Sequence, residues 1–329
     1  MQTRQLGRNG PVVSAIGLGC MGMSDFYGPY DEAESRATIT AALDAGITLL
    51  DTGDFYGSGH NEMLIADAIR GRREAVAIAV KFGVLRGPDG AFNGLDCRPV
   101  AVRNALACTL RRLRTDHVDI YQPARLDPAV PIEETVGAIA GLVQAGYVRH
   151  IGLSEVGSAT LRRAHAVHPI AQLQIEYSLL ARGIEADILP TCRELGIGIT
   201  AYGVLSRGLL AGWQPGRSDF RSHLPRFQGA AFEKNRGLAA RLALLAAERG
   251  VTAAQLAIAW ALHKGPDIVP LVGARRRDRL AEALGGLALT LDPAAIAALE
   301  AAVPAHEVVG TRYPAEHMGI LDSERPPAH

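Results

Sequence analysis

Apolar residues in this chain fall into two alternating patterns: short uninterrupted runs, and longer stretches in which they return every three or four positions. The runs lie near 15–19, 47–51, 76–81, 117–121, 149–153, 171–175, 197–201 and 267–272, and each reads as a buried strand. The spaced patterns lie between them, near 31–45, 61–70, 98–114, 132–145, 158–167 and 185–195, with a longer region from 232 to 263. Strands alternating with amphipathic helices in this way predict an α/β fold, the (β/α)8 TIM barrel. Asn9-Gly10 ahead of the first strand is a hairpin-turn dipeptide, so an N-terminal β-hairpin is expected before the barrel. No linker, repeat or low-complexity stretch breaks the alternation, and residues 1–329 read as a single barrel domain. One long polar insertion, Gly212 to Gly229, follows the seventh strand. It either closes over a bound ligand or is a surface excursion.

Active sites on such a barrel stand at the C-terminal ends of the strands. The stretch ITLLDTGDFYGSGH ends its apolar run at Asp51 and carries Tyr56 just past a turn, and the next strand, AVAIAVKFGV, ends its run at Lys81. Carboxylate, phenol and amine at consecutive strand ends form a candidate acid–base cluster. The lysine is informative because only Lys81, Lys234 and Lys264 occur among 34 basic residues, so ordinary surface charge here is arginine. Lysine is a compact charge whose pKa shifts on burial, whereas arginine stays protonated and needs a wide fork of partners.

Composition narrows the remaining possibilities. A hydrophobic fraction of 48% with 21% charged residues supplies a large core, and a formal net charge of zero gives no overall attraction to nucleic acid or membrane. No apolar run approaches the ~18 residues of a membrane span, and the N-terminus carries no signal-like segment, so a cytoplasmic location is expected. Cys20, Cys97, Cys108 and Cys192 are scattered without CxxC spacing and read as reduced thiols. His165 and His168 lack a third nearby ligand, so no metal is expected, and Ser206 in GVLSRG does not match a nucleophile elbow. Residues 17–22, GLGCMG, match the dinucleotide fingerprint formally, but helical periodicity begins only near Asp31. These glycines are better read as allowing close approach of a ligand or neighbour to the first strand and its loop.

A family resemblance rests on several separated motifs. LLDTGDFYGSGHNEMLIADAI, VKFG, VPIEETVGAIAGLVQAGYVRHIGLSE, LQIEYSLL, AYGVLSRGLLAG and PLVGARR follow one another as in the aldo-keto reductases, which the chain resembles from about residue 3 to Pro314. GLGCMGMSDFYGP is similar to the short-loop bacterial and plant branch that includes pyridoxal reductase-like proteins. The resemblance implies a barrel that binds NADPH/NADP without a Rossmann domain and reduces a small-molecule aldehyde or ketone. It further implies Tyr56 as general acid, Lys81 as the cation that tunes it and Asp51 as the group orienting the lysine. An unperturbed phenol has a pKa of about 10, so a cation that favours its phenolate lowers the barrier to proton donation.

Cofactor contacts are implied residue by residue. Gly19, Cys20 and Met21 border the site from the first strand, with Asp51 beside them. Ser154 and Gln174 match groups that hold the carboxamide, and Glu155 stands where many members have asparagine. Tyr202 matches the aromatic that stacks on the nicotinamide, followed by Gly203. Leu205, Arg207 and Gly208 match the pyrophosphate-side loop. Gly273, Arg275, Arg279 and Glu282 resemble the adenosine clamp, whose arginines suit a 2′-phosphate; Arg276 and Arg277 read equally well as solvated helix charges. His317 and Met318 are candidates to line the substrate pocket.

The family's catalytic histidine belongs to a pattern like YxQxHRxDP. Here the segment is DIYQPARLDP, which puts Ala124 at that position. Alanine cannot donate to a carbonyl oxygen, and three consequences follow as alternatives: weaker aldehyde reduction, a roomier pocket for another substrate such as an activated C=C bond, or cofactor binding without turnover. The last would make the protein a sensor or regulatory subunit, as potassium-channel β subunits resemble this fold. Arg125 is a candidate replacement donor, although strand alternation would point it away from Ala124.

Overall fold

The computed structural model describes residues 1–214 and 219–325. Twelve strands occur among them. A hairpin of β1 (Thr3–Gln5) and β2 (Val12–Ser14) precedes the barrel. The barrel strands are β3 (Gly17–Gly19), β4 (Leu49–Gly53), β5 (Ala77–Phe82), β8 (Val118–Pro123), β9 (Val148–Ser154), β10 (Ile170–Glu176), β11 (Gly198–Tyr202) and β12 (Ile268–Gly273). They close in chain order, β12 pairing back to β3, and every pairing is parallel. The (β/α)8 barrel read from the periodicity is therefore the fold. A small hairpin, β6 (Val84–Arg86) with β7 (Phe92–Leu95), follows β5 and was not legible as strand, because glycines and a proline break its short runs.

Helices α1 (Glu32–Asp44), α2 (His60–Ala68), α3 (Pro99–Leu113), α4 (Ile132–Gln144), α5 (Ser158–Val167) and α6 (Ile188–Leu195) ring the barrel at the predicted positions. The long region from 232 to 263 resolves into α7 (Gly229–Glu248) and α8 (Ala253–His263), which meet at 92°. Thr252 makes the break by capping α8, with Gln255 reaching back to close a capping box. After β12 come α9 (Arg277–Gly285), α10 (Pro293–Ala302) and the short α11 (Ala315–Met318). Among the described residues no single helix is long and apolar enough to cross a membrane.

The two ends of the barrel differ. At the N-terminal end the β1–β2 hairpin acts as a plug: Leu6 is fully buried against Leu49, Ala79, Ile120, Val269 and Leu271. The fit is close enough that a Cβ on Gly198 would lie 2.6 Å from the Gly7 nitrogen. Higher in the barrel the filling turns polar, with Gln172 donating to Gln122 at 2.9 Å. The C-terminal end opens into a cavity of about 1110 Å³.

Candidate active site

Neighbouring strands bring Asp51 and Lys81 together: β4 and β5 pair with Asp51 opposite Ala79 and Gly53 opposite Lys81, so Lys81 stands two register positions beyond Asp51. The Lys81 ammonium lies 2.6 and 2.7 Å from the two Asp51 carboxylate oxygens. Gln174, from β10 across the barrel, donates to the same carboxylate at 2.6 Å. Tyr56 sits in the turn after β4, where Gly57 and Gly59 adopt positive φ, and the Lys81 ammonium is 5.1 Å from its ring centroid. Asp51, Tyr56 and Lys81 all line the cavity and are nearly inaccessible to solvent.

This burial sets the resting protonation. Loss of water pushes the Tyr56 phenol well above its ordinary pKa, Asp51 adds to the rise, and Arg125 is the leading cation opposing it. Burial also lowers the Lys81 pKa, although Asp51 pulls it back up. The phenol therefore holds its proton firmly, and Lys81 is not among the leading groups that oppose the rise.

Ala124 lines the cavity beside these three residues, and so does Arg125. The alternation rule that would have turned Arg125 away does not apply: β8 ends at Pro123 and the chain bends at Ala124 and Arg125. The Arg125 Nη1 curls back to the Ala124 carbonyl at 2.6 Å.

Two expected cofactor contacts are absent from the cavity wall. Cys20 is fully buried, its side chain turned to the core while its N–H donates to the Asp51 carbonyl at 3.0 Å. Glu155 is also fully buried, and its carboxylate is already engaged by Arg312 at 2.7 Å, by the Tyr202 hydroxyl at 2.6 Å and by Ser323. Burial alone would raise the Glu155 pKa, but Arg312 overrides it and holds the carboxyl far below the usual range. A carboxylate bound in this way anchors the C-terminal segment.

The other expected contacts border the cavity: Gly19 and Met21 after β3, Ser154 and Gln174 at the ends of β9 and β10, Tyr202 and Gly203 after β11, then Leu205, Arg207 and Gly208. Gly273, Arg275, Arg279 and Glu282 complete the wall at β12 and α9. Arg207 is well enclosed, stacks 4.7 Å over Tyr313 and leaves its Nη2 without a hydrogen-bond partner. Gly208 has φ +97°, and a Cβ there would meet the Trp213 Cβ at 3.0 Å. A guanidinium held only by a 3.6 Å ion pair to Glu176, with an Nη2 free to donate beside a side-chain-free turn, fits an anionic pyrophosphate. Arg275 donates to the Tyr27 carbonyl at 2.8 Å, Arg279 pairs with Glu282, and Arg277 pairs with Glu34 away from the cavity.

The insertion after β11 faces the cavity. Residues 215–218 lie outside the described residues, while Trp213, Phe220, Arg221 and Leu224 line the wall. Sequence reading missed these, and also Phe26, Phe55 and Tyr313. They lie in irregular segments, where no periodicity marks which side chain points inward. His317 is at the wall and Met318 is not part of it.

The barrel is thus closed at one end and carries an ion-paired lysine, a buried phenol and an arginine-bearing loop at the other. Residues 15–304 match the model of the aldo/keto reductase family. The chain is 42% identical over 322 residues to "Probable aldo-keto reductase 1" of Glycine max, covering 95% of this chain and 92% of that one. The solved glycerol dehydrogenase AKR11B4 from Gluconobacter oxydans is similar with a TM-score of 0.83, at 28% identity, covering 99% of this chain and 98% of that one. The aldo-keto reductase AKR11C1 from Bacillus halodurans, in holo form, matches at a TM-score of 0.76 and 26% identity, covering 93% and 97%. The protein belongs to the aldo/keto reductase family, whose members are oxidoreductases of small carbonyl compounds that typically use NAD(P)H.

Proposed function

We propose that the protein is an NADPH-dependent reductase of aldehydes or ketones, with Tyr56 as general acid. The observation that carries this is the Asp51–Lys81–Gln174 clamp set beneath a buried, protonated phenol on the cavity wall. Ser154 and Gln174 would hold the carboxamide, Tyr202 the nicotinamide face, Arg207 and Gly208 the pyrophosphate. Arg275, Arg276 and Arg279 offer guanidinium groups for a 2′-phosphate, which favours NADPH over NADH. A nicotinamide held by these residues would supply the hydride for a carbonyl carbon.

The chain's own residues supply the proton. Tyr56 keeps it at neutral pH and gives it to the oxygen as negative charge develops there. The charge left on the phenol then faces Lys81 and Arg125, which stabilise it more than they stabilise the neutral ground state. Asp51 keeps Lys81 in place, and Gln174 fixes the carboxylate. Ala124 offers the carbonyl oxygen no donor, and loss of such a donor costs on the order of 2.7–4 kcal/mol of transition-state stabilisation. That loss favours a second reading, reduction of an activated C=C bond.

Single-turnover oxidation of bound NADPH with a panel of aldehydes, quinones and enones tests this function. Aldehyde turnover is expected to fall by roughly 10²–10⁴ in Tyr56→Phe. Binding of NADPH without oxidation by any substrate would favour a sensor, oxidation by enones alone the second reading, and turnover indifferent to Tyr56→Phe would refute the acid assignment.

A further inference from the structure

Most charged side chains around the cavity have a carboxylate partner, while Arg275 on the same wall bonds only to the Tyr27 and Gly28 carbonyls. Lys81 is matched by Asp51, and Arg312 lies 2.7 Å from Glu155 and 3.3 Å from Glu176. Arg207 and Arg226 share Glu176 at 3.6 and 3.4 Å. Among the described residues Arg125 pairs with no carboxylate, and its one hydrogen bond is the donation to the Ala124 carbonyl. A guanidinium has five N–H donors, so four remain on a half-buried group that faces the cavity. Burial disfavours this cation while Tyr313, Tyr202 and Glu155 nearby favour it, and its free N–H donors are left for an anionic ligand.

Resting on the carbonyl-reductase reading above, we propose that Arg125 is the specificity-determining residue of the substrate pocket, binding a carboxylate carried by the substrate near its reacting carbonyl. Arg125 shares the wall with Tyr56 and Lys81, and the Ala124 methyl leaves open the space that an imidazole would occupy. Asp51 neutralises Lys81, so Arg125 supplies the unbalanced positive charge at this end of the cavity. One planar fork matches one carboxylate in both geometry and charge, whereas a phosphate would bring a second negative charge with no cation for it. The cavity wall also carries apolar side chains, Phe26, Phe55, Ile320 and Leu321 among them, which suit the hydrocarbon part of such a substrate. Burial raises the Tyr56 phenol and Asp51 adds to this, but Arg125 is the first cation to oppose it, so its charge is felt where the proton is transferred.

The test compares acids with their neutral methyl esters in the NADPH-loaded enzyme: phenylglyoxylate, 3-formylbenzoate and 4-formylbenzoate, each against its ester. The acid of at least one pair is expected to exceed its ester in kcat/KM by on the order of ten- to a hundredfold, mainly through KM. Arg125→Gln should collapse that ratio toward one, and Arg125→Lys should retain part of it. Equal turnover of acid and ester in every pair would overturn the proposal. So would an equal loss on acids and esters in Arg125→Gln, which would instead make Arg125 a donor to the carbonyl oxygen. A direct readout accompanies the kinetics: calorimetric binding of benzoate to the NADP-loaded protein is expected, and its persistence unchanged in Arg125→Gln would also overturn the assignment. Turnover of esters without acid preference refutes only the role of Arg125, whereas turnover of neither class refutes the reductase reading itself.

Discussion

On the reading proposed above, Ala124 stands where the resembling pattern has histidine, and its neighbours make that reading testable. It is buried on the cavity wall beside an intact Asp51–Lys81 pair. Ala124→His is therefore expected to raise kcat/KM for neutral aldehydes by roughly 10²-fold, the worth of one well-placed donor, in steady-state assays. Two residues before Tyr56, Asp54 adds a pH dependence. Burial and then neighbouring Glu62 push its pKa up to about 7, with Arg112 opposing. The folded protein keeps this proton to about pH 7, while an unfolded aspartate releases it near pH ~4, so the native state binds more protons between these values. This contribution to stability is present below the unfolded pKa and is lost as pH rises from about 4 to about 7. Asp54→Asn should remove that loss, gaining on the order of 4 kcal/mol at pH ~8 relative to pH ~4, read as a Tm difference that widens with pH. A shift with the opposite trend would mean that the carboxylate is the native form.

At the scale of elements, the N-terminal hairpin was legible from Asn9-Gly10, but its use as a barrel plug was not. The plug depends on backbone meeting backbone at Gly7 and Gly198, and a Cβ at Gly198 would also come within 2.9 Å of the Leu6 carbonyl carbon. Neither partner can yield without lifting Leu6 from the barrel floor. Gly198→Ala is expected to cost about 1–3 kcal/mol by overpacking, seen as a lowered denaturation midpoint. Cofactor affinity should hold, because the cavity lies at the other end. The strands themselves were readable because a parallel strand covered on both faces is apolar throughout and ends sharply where polar chemistry begins. Asp51 and Lys81 stood out for that reason. Arg125 did not: strand alternation predicted the wrong side, and the bend after Pro123 is set by tertiary packing.

Across the whole molecule, the C-terminal segment is tied to the barrel by Arg312, which joins Glu155 after β9 to Glu176 at the end of β10. Glu155 in turn accepts from the Tyr202 hydroxyl, so the same anchor holds the residue expected to face the nicotinamide. Arg312→Met would leave Glu155 buried without its counter-charge, and a loss of about 3–5 kcal/mol is expected in chemical denaturation. Weaker NADPH binding should accompany it, measurable by fluorescence titration, because Tyr202 loses its fixed partner. The sequence by itself determined the barrel and the strand ends that carry Asp51 and Lys81, since periodicity and abrupt polarity changes are local properties of the chain. Tertiary structure decided which of the remaining polar groups face the cavity. It turned Cys20 and Glu155 away and brought Arg125, Tyr313 and the loop after β11 inward, because charge pairing and burial depend on residues more than a hundred positions apart.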